Sequence, residues 1–459
     1  MNGRIPNAAA AAAVFLAVLG AQLALVAACG TDIPFHDQWN IEGQWLYPAW
    51  RDGTLTFGGL LQAFNEHRIL WTHLLNLGIF AANGQWDPLV QLVAIAVLRA
   101  ACAAGLAWVV ARELSPRGRV AVAAVVAVAF LPHLAWHNVL WGIESHAYFA
   151  LGCSLIALRL LGAEDPSPRR IAAGVAVTIA GLFAMGPAAL VPVALLGLAM
   201  VRAIERRRMA WKDAGVAGLL LALALILRVT VPEHAALQAS GPGEFLAAAG
   251  RVLGWPHAQT PLVALGVNAP LLLLLGLRLA RKRTAAHGED FVVLLAGWSA
   301  AIALATAWAR GGSAELAAGL PSRYVDFIVL LPLANVWAAA ALAREVAAPR
   351  RPLGVLVAGA WGAFLLAGWI GLSAEVWRGL VLPRARDREA PVRLMQAYQA
   401  SRDDAVFAGQ PLLLVPHPNL AAVRAVLDDP RMKGALPPSL QPEQLPGPLS
   451  RAARAVVAR

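Results

Sequence analysis

The sequence predicts an all-α polytopic membrane protein of about eleven transmembrane helices with a small α/β tail outside the membrane. Three observations lead there. Apolar residues make up 59% of the 459 and charged residues only 14%, so most of the chain belongs in lipid. The apolar residues gather in runs of bilayer-spanning length. Lys and Arg cluster in alternate loops between those runs, the asymmetry that orients membrane helices.

The predicted spans lie at roughly 8–28, 88–111, 119–134, 147–162, 171–186, 187–204, 214–230, 260–279, 291–309, 323–343 and 353–373. A twelfth run, Ile69 to Ala82, has about fourteen residues between Arg68 and Asn83, a length that suits an interfacial or re-entrant helix. Leaving it uncounted satisfies the charge rule. With the N-terminus in the cytoplasm, the inner loops hold Arg112, Arg117 and Arg119, then Arg169 and Arg170, then Arg202, Arg206 through Arg208 and Lys212. They continue with Arg281 through Arg283 and with Arg344, Arg350 and Arg351. The outer loops hold mainly Arg51, Arg68, Arg251 and Arg310, so the positive-inside rule is obeyed.

These basic loops account for the net charge of +11 without a nucleic-acid partner. Cys29, Cys102 and Cys153 sit in or beside apolar runs, where they read as small packing residues and imply no disulfide framework. Val26 to Cys29 resembles a lipoprotein cleavage box, a competing reading of the first segment that leaves the orientation unchanged. No repeat period stands out. In the tail, 374–459, residues 384–410 read as helix, the PLLLVPHP stretch from Pro411 as a short strand, and Asn419 to Asp429 as helix. Such a tail is too small for a catalytic domain and suits a cap packed on the membrane part, 1–373.

The chemistry gathers on the outer side. Nine of ten histidines, all but His287, fall there, and the reactive groups lie in three outer loops: TDIPFHDQWNIEGQW with FNEHR, WHNVLWGIESH, and RGGSAELAAGLPSRY. Asp37 is a candidate general base, against the plainer reading of a helix cap or loop carboxylate. Arg68 can simply snorkel. No tight His/Glu spacing such as HExxH occurs, so a divalent metal is only an open alternative and no cofactor is called for. Trp39, Trp45, Trp50, Trp71, Trp136 and Trp141 form an interfacial belt from which some rings can stack on a sugar. Acids, arginines and rings at the lipid boundary suit a lipid-borne anionic donor and a polar acceptor.

An N-terminal span, an acidic outer loop, a short apolar helix and then many spans with small outer loops resembles the GT-C glycosyltransferases, over about residues 8–373. This superfamily includes the protein O-mannosyltransferases and the bacterial aminoarabinose transferase. FHDQW, FNEHR, NVLWGIESH and PSRY also look like segments of bacterial membrane proteins grouped with it. The resemblance implies a bacterial inner-membrane enzyme with a cytoplasmic N-terminus and a periplasmic C-terminus. It implies a polyprenyl-phosphate-linked sugar donor, an envelope glycan, lipid or protein acceptor, and contact with membrane lipid. By position, Asp37 matches the catalytic carboxylate, with Asp32 and Glu66 as further acidic candidates. His36, His67, Arg68, Trp141, Glu144, His146, Arg310, Arg323 and Tyr324 are the expected substrate-binding set. His-Asp-Gln stands where relatives often carry Asp-Glu or Asp-Asp, which puts a second acidic partner in doubt. The implied reaction is an inverting displacement in which Asp37 deprotonates the acceptor while Arg68, Arg310 or Arg323 neutralises the departing phosphate. A transporter or flippase of lipid-linked sugar is the alternative, with Arg99 near mid-span as the group a phosphate would meet. A non-catalytic assembly subunit is a third reading.

Overall fold

The computed structural model describes residues 6–112, 114–206, 211–257, 261–281, 288–346 and 350–458. Arg207, Arg208, Lys282, Arg283 and His287 lie outside them. We number the helices of nine or more residues in chain order. They are α1 (Asn7–Cys29), α2 (Leu70–Asn83), α3 (Pro88–Ala111), α4 (Pro116–Phe130), α5 (Ser145–Leu161), α6 (Pro168–Leu182), α7 (Val191–Arg206) and α8 (Trp211–Arg228). Then come α9 (Pro242–Leu253), α10 (Pro261–Arg281), α11 (Glu289–Arg310), α12 (Leu330–Glu345), α13 (Arg351–Val376), α14 (Ala390–Ser401), α15 (Leu420–Asp428) and α16 (Pro448–Val457).

Sequence chemistry sets several of these starts. Helices α3, α4 and α6 each begin with proline behind a capping residue. Asp87, Ser115 and Ser167 accept from the amides of Leu89, Gly118 and Arg170 at 2.9, 3.3 and 3.4 Å, satisfying amides that the helix leaves unpaired. Neighbours pack in a chain, α1 with α3 and α4, α5 with α6, α9 with α10 and α11, and α12 with α10, α11 and α13.

Among the described residues, eight helical segments are long and apolar enough to cross a membrane, α4, α7 and α12 counting as parts of the continuous segments Pro116–Leu140, Gly186–Arg206 and Ser322–Glu345, the build of a polytopic helical membrane protein. All eleven predicted runs are helical, but three fall short of that standard, so the count of eleven is not reached. Helix α5 has 17 residues and α6 has 15, and at about 1.5 Å per residue α6 is shorter than a hydrocarbon core of about 30 Å. Helix α8 has 18 residues but carries Lys212, Asp213 and Arg228. The uncounted run is the 14-residue α2.

The expected α/β tail is corrected as well. Among the described residues there is no strand, only an isolated bridge between Phe64 and His67. Leu412–Leu414 is a 3₁₀ turn, because an extended segment without a partner strand leaves its backbone groups unpaired. The tail is helical and shares one core with the first loop: Trp39, Leu46, Tyr47 and Trp86 pack with Met395, Tyr398, Val423 and Met432. Arg384 and Arg388 reach back to the carbonyls of Cys29 and Gly30, both at 3.0 Å. They supply the cations that the end of α1 lacks.

Charges inside the bundle are paired. Arg202 holds Asp290 at 2.6 Å, and Arg278 joins Asp290 at 2.7 Å and also Glu205. Arg99, expected as a mid-span contact for phosphate, is 1% exposed. It is bound to Asp326 and to the Phe130 carbonyl.

Candidate active site between the first loop and the cap

Helix α1 ends at Gly30, and the chain runs on to His36, which takes a left-handed φ of 46°. From Asp37 it winds into a continuous helical run to Arg51 whose middle, Trp39–Leu46, is π-helical. Both features cost backbone energy and recur at functional sites. Glu42 anchors the π-helical stretch from within. Its carboxylate is 1% exposed and accepts from Gln38, Asn76, Trp86 and Gln91 at 3.0, 2.5, 2.8 and 3.1 Å. Burial pushes this carboxyl up, and the four donors pull it back. Gly142 is required beside it, because a Cβ there would come within 2.2 Å of Gln91 Oε1.

Asp37 stands in the first turn of this run, half-buried, and its carboxylate makes no hydrogen bond or ion pair to any described residue. It caps nothing. Burial pushes its pKa above the usual carboxylate range, and the charges of His417, His146 and Arg323 draw it part of the way back. Those groups therefore lie within electrostatic reach of it.

Glu144 lies within electrostatic reach of the Asp37 carboxylate. Its Oε2 is buried without a hydrogen-bond partner, 3.3 Å from His146 Nε2. That distance suits an ion pair, but the alignment does not make a hydrogen bond. Burial raises the Glu144 carboxyl, the charges of His146 and Arg323 lower it, and Asp37 raises it further. His146 Nδ1 lies 2.8 Å from the Ile143 carbonyl, which makes Nδ1 the donor and leaves Nε2 toward Glu144. His36 Nε2 is also buried without a partner, and burial followed by the charge of His417 lowers this ring to about 4.

Trp141 forms one wall. It donates to the Phe35 carbonyl at 2.7 Å, stacks on His137 with centroids 4.8 Å apart and meets the His36 ring edge-on at 5.8 Å. The 136–146 loop is pinned to the third outer loop, His137 N donating to Ser322 Oγ and Asn138 Nδ2 to the Arg323 carbonyl, both at 3.1 Å. These bonds bring Arg323 to the carboxylates. Arg323 itself forks onto Glu315 at 2.7 and 2.6 Å and lies over the Tyr324 ring at 5.1 Å.

A second group of charges adjoins the first through His67, whose ring lies 6.2 Å from that of His146. Burial, then His146 and Arg310, lower His67 to about 3, so it is neutral. Glu66 is occupied by Arg310 at 2.5 Å, with His234 at 3.7 Å. Arg310 also bonds Tyr324 Oη at 3.3 Å but keeps Nη1 buried and unpartnered.

Asp37, His36, Trp141, Glu144, His146, Arg323 and Tyr324 are thus brought together, with His67, Arg310 and Glu66 alongside. Asp32 and Arg68 are not. Asp32 is 4% exposed, accepts from Ser439 N at 2.8 Å and pairs with Arg454 at 3.0 Å, so it fastens the cap. Arg68 donates to the Leu61 carbonyl and to Thr230 Oγ1, each at 2.7 Å. Sequence reasoning missed the Glu42 cage and the position of His417, for which the visible signal was a histidine between Pro416 and Pro418. Among the described residues no three His, Cys, Asp or Glu side chains are grouped to hold a metal ion. Comparisons with family models, curated proteins and solved structures each returned no match.

Proposed function

We propose that the protein is an integral membrane glycosyltransferase that moves a sugar from a polyprenyl-phosphate donor to a hydroxyl-bearing envelope acceptor with inversion. The observation that carries this reading is the Asp37 carboxylate, half-buried, unbonded and within electrostatic reach of Arg323, His146 and His417. A structural carboxylate in such surroundings would be capped or paired; one kept free and held less acidic by burial is suited to take a proton.

In the proposed step the acceptor oxygen bonds to the anomeric carbon and gives its proton to Asp37. The bond from that carbon to the phosphate oxygen breaks, and the polyprenyl phosphate leaves with the electron pair. The unpartnered Nη1 of Arg310 is the donor available to the phosphate, and Arg323 reaches it by exchanging Glu315, which is half exposed. His36, kept neutral by burial, and Trp141 line the sugar side. The transporter reading loses its motive, because Arg99 is committed to Asp326 within the core.

The test is to incubate purified protein with labelled polyprenyl-phosphate hexoses and pentoses, and separately with nucleotide sugars, and to follow binding and release of polyprenyl phosphate. Release from a lipid-linked donor is expected. Tight binding of a nucleotide sugar with no response to lipid-linked donors would overturn the assignment.

A further inference from the structure

We infer that Pro416 and His417 of the cap complete the active site by clamping the turn that carries Asp37, which makes His417 a positioning residue for the proposed base. The inference rests on the reading of Asp37 given above. Its observations are separate.

The cap grips this turn on both sides of Asp37. The His36 amide donates to the Pro416 carbonyl at 2.6 Å. Four residues later, Asn40 Nδ2 lies 3.1 Å from His417 Nε2. The His36 and His417 rings meet edge to face with centroids 6.5 Å apart. Asp37 makes no bond of its own to a described residue, so its direction is inherited from residues 36 and 40.

The grip also has a conformation to hold. His36 sits at a φ of 46°, a region that non-glycine residues populate sparsely and keep only when their surroundings impose it. The Pro416 carbonyl bond is one such constraint. The clamp is itself rigid, since His417 stands between two prolines of fixed φ, is 8% exposed and has Nδ1 2.8 Å from the Asn419 carbonyl and 3.0 Å from the Asn419 amide nitrogen. Both Asn419 contacts fall on Nδ1, which leaves Nε2 to the side-chain amide of Asn40. Misplacing a reacting group by about 1 Å costs on the order of a hundredfold in rate, so loss of this grip acts on turnover rather than on donor affinity.

The experiment uses the full chain in lipid nanodiscs, as wild type, His417→Ala, His417→Gln and Asn40→Ala. One readout is hydrogen exchange of peptides covering 31–46, the His36 amide above all. The other is steady-state turnover of a labelled polyprenyl-phosphate hexose. In His417→Ala and Asn40→Ala, exchange in 31–46 should rise at least tenfold with the span peptides unchanged. The kcat should fall at least tenfold while donor KM stays within about twofold. His417→Gln, whose side-chain amide can pair with that of Asn40 in either direction, should restore both. Unchanged exchange in His417→Ala and Asn40→Ala overturns the clamp, as does a loss confined to KM. If wild type turns over no lipid-linked sugar, the proposed reaction fails while the exchange measurement still decides the clamp.

Discussion

Arg99 and Asp326 join α3 to the segment carrying Arg323 by a side-on ion pair. Nη2 lies 2.8 Å from Oδ1, Nε lies 3.2 and 3.1 Å from the two oxygens, and both side chains are 2% exposed. Tyr148 Oη donates to the same carboxylate at 2.8 Å, two residues beyond His146. Replacing Arg99 by Ala strands Asp326 in the core, which commonly costs about 3–5 kcal/mol. The expected outcome is a large drop in the melting temperature of detergent-solubilised protein, much smaller in an Arg99→Met, Asp326→Leu double variant. Equal melting of wild type and Arg99→Ala would show that the pair has no such role.

Asp37→Asn preserves shape and removes the proton acceptor. Transfer should fall on the order of a hundredfold or more with the melting temperature unchanged. Asp32→Asn should do the reverse, weakening the cap through Arg454 and Ser439 while sparing the chemical step. Full transfer activity in Asp37→Asn excludes it as the base.

Arg310→Ala and Arg323→Ala should each slow turnover by roughly tenfold or more if they meet the leaving phosphate. Arg251→Ala, on the separate helix α9, serves as the control and should change little. Donor turnover rates decide this, and equal effects at all three positions would remove the phosphate-clamp role.

Three first-loop histidines give stability a pH dependence of fixed sign. Burial lowers His36 and His73 to about 4 and His67 to about 3, from an ordinary 6.5. Between those values these histidines bind more protons in the unfolded chain than in the folded one, so their contribution to stability is complete above about 6.5 and declines as pH falls toward 4. From pH 7.5 through 6 to 4.5 the melting temperature of wild type should fall relative to that of His73→Gln, a comparison that cancels the opposite trend of the buried carboxyls Asp37, Glu42 and Glu144. A difference between the two proteins that does not change with pH contradicts the buried neutral state.

Topology has a parity argument. The first loop follows α1 and shares a core with the tail, so the two lie on one side and an even number of crossings separates them. Adding α1 makes the total odd, whereas eight helices meet the length and composition standard. At least one shorter helix therefore crosses, or one long helix does not. With the positive-inside orientation, a periplasm-active reporter fused after Arg459 should be active and a cytoplasmic one silent. The opposite pattern would place the site on the cytoplasmic face.

The sequence was most legible where one local rule decides the outcome. Apolar runs became helices, because the signal for a span is written within one contiguous stretch. It was least legible where a partner lies far along the chain. Asp32 and Asp37 look alike in the first loop, and what separates them is Ser439 and Arg454, 407 and 422 positions away. PLLLVPHP read as a strand on its own composition, but no second strand exists among the described residues to pair with it. Glu42 looked like one more loop acid until Asn76, Trp86 and Gln91 closed around it.

The shared core also dictates an order of assembly. The loop presenting Trp39, Tyr47 and Trp86 leaves the ribosome about 350 residues before the segment that covers it, as the spacing of 377 between Asn40 and His417 shows. At about 5–20 residues per second, that apolar face waits on the order of half a minute with nothing against it. Biogenesis therefore has a vulnerable interval: the bundle is inserted while its first loop is still sticky, and chaperones on that side of the membrane have a defined client surface until the last helices arrive.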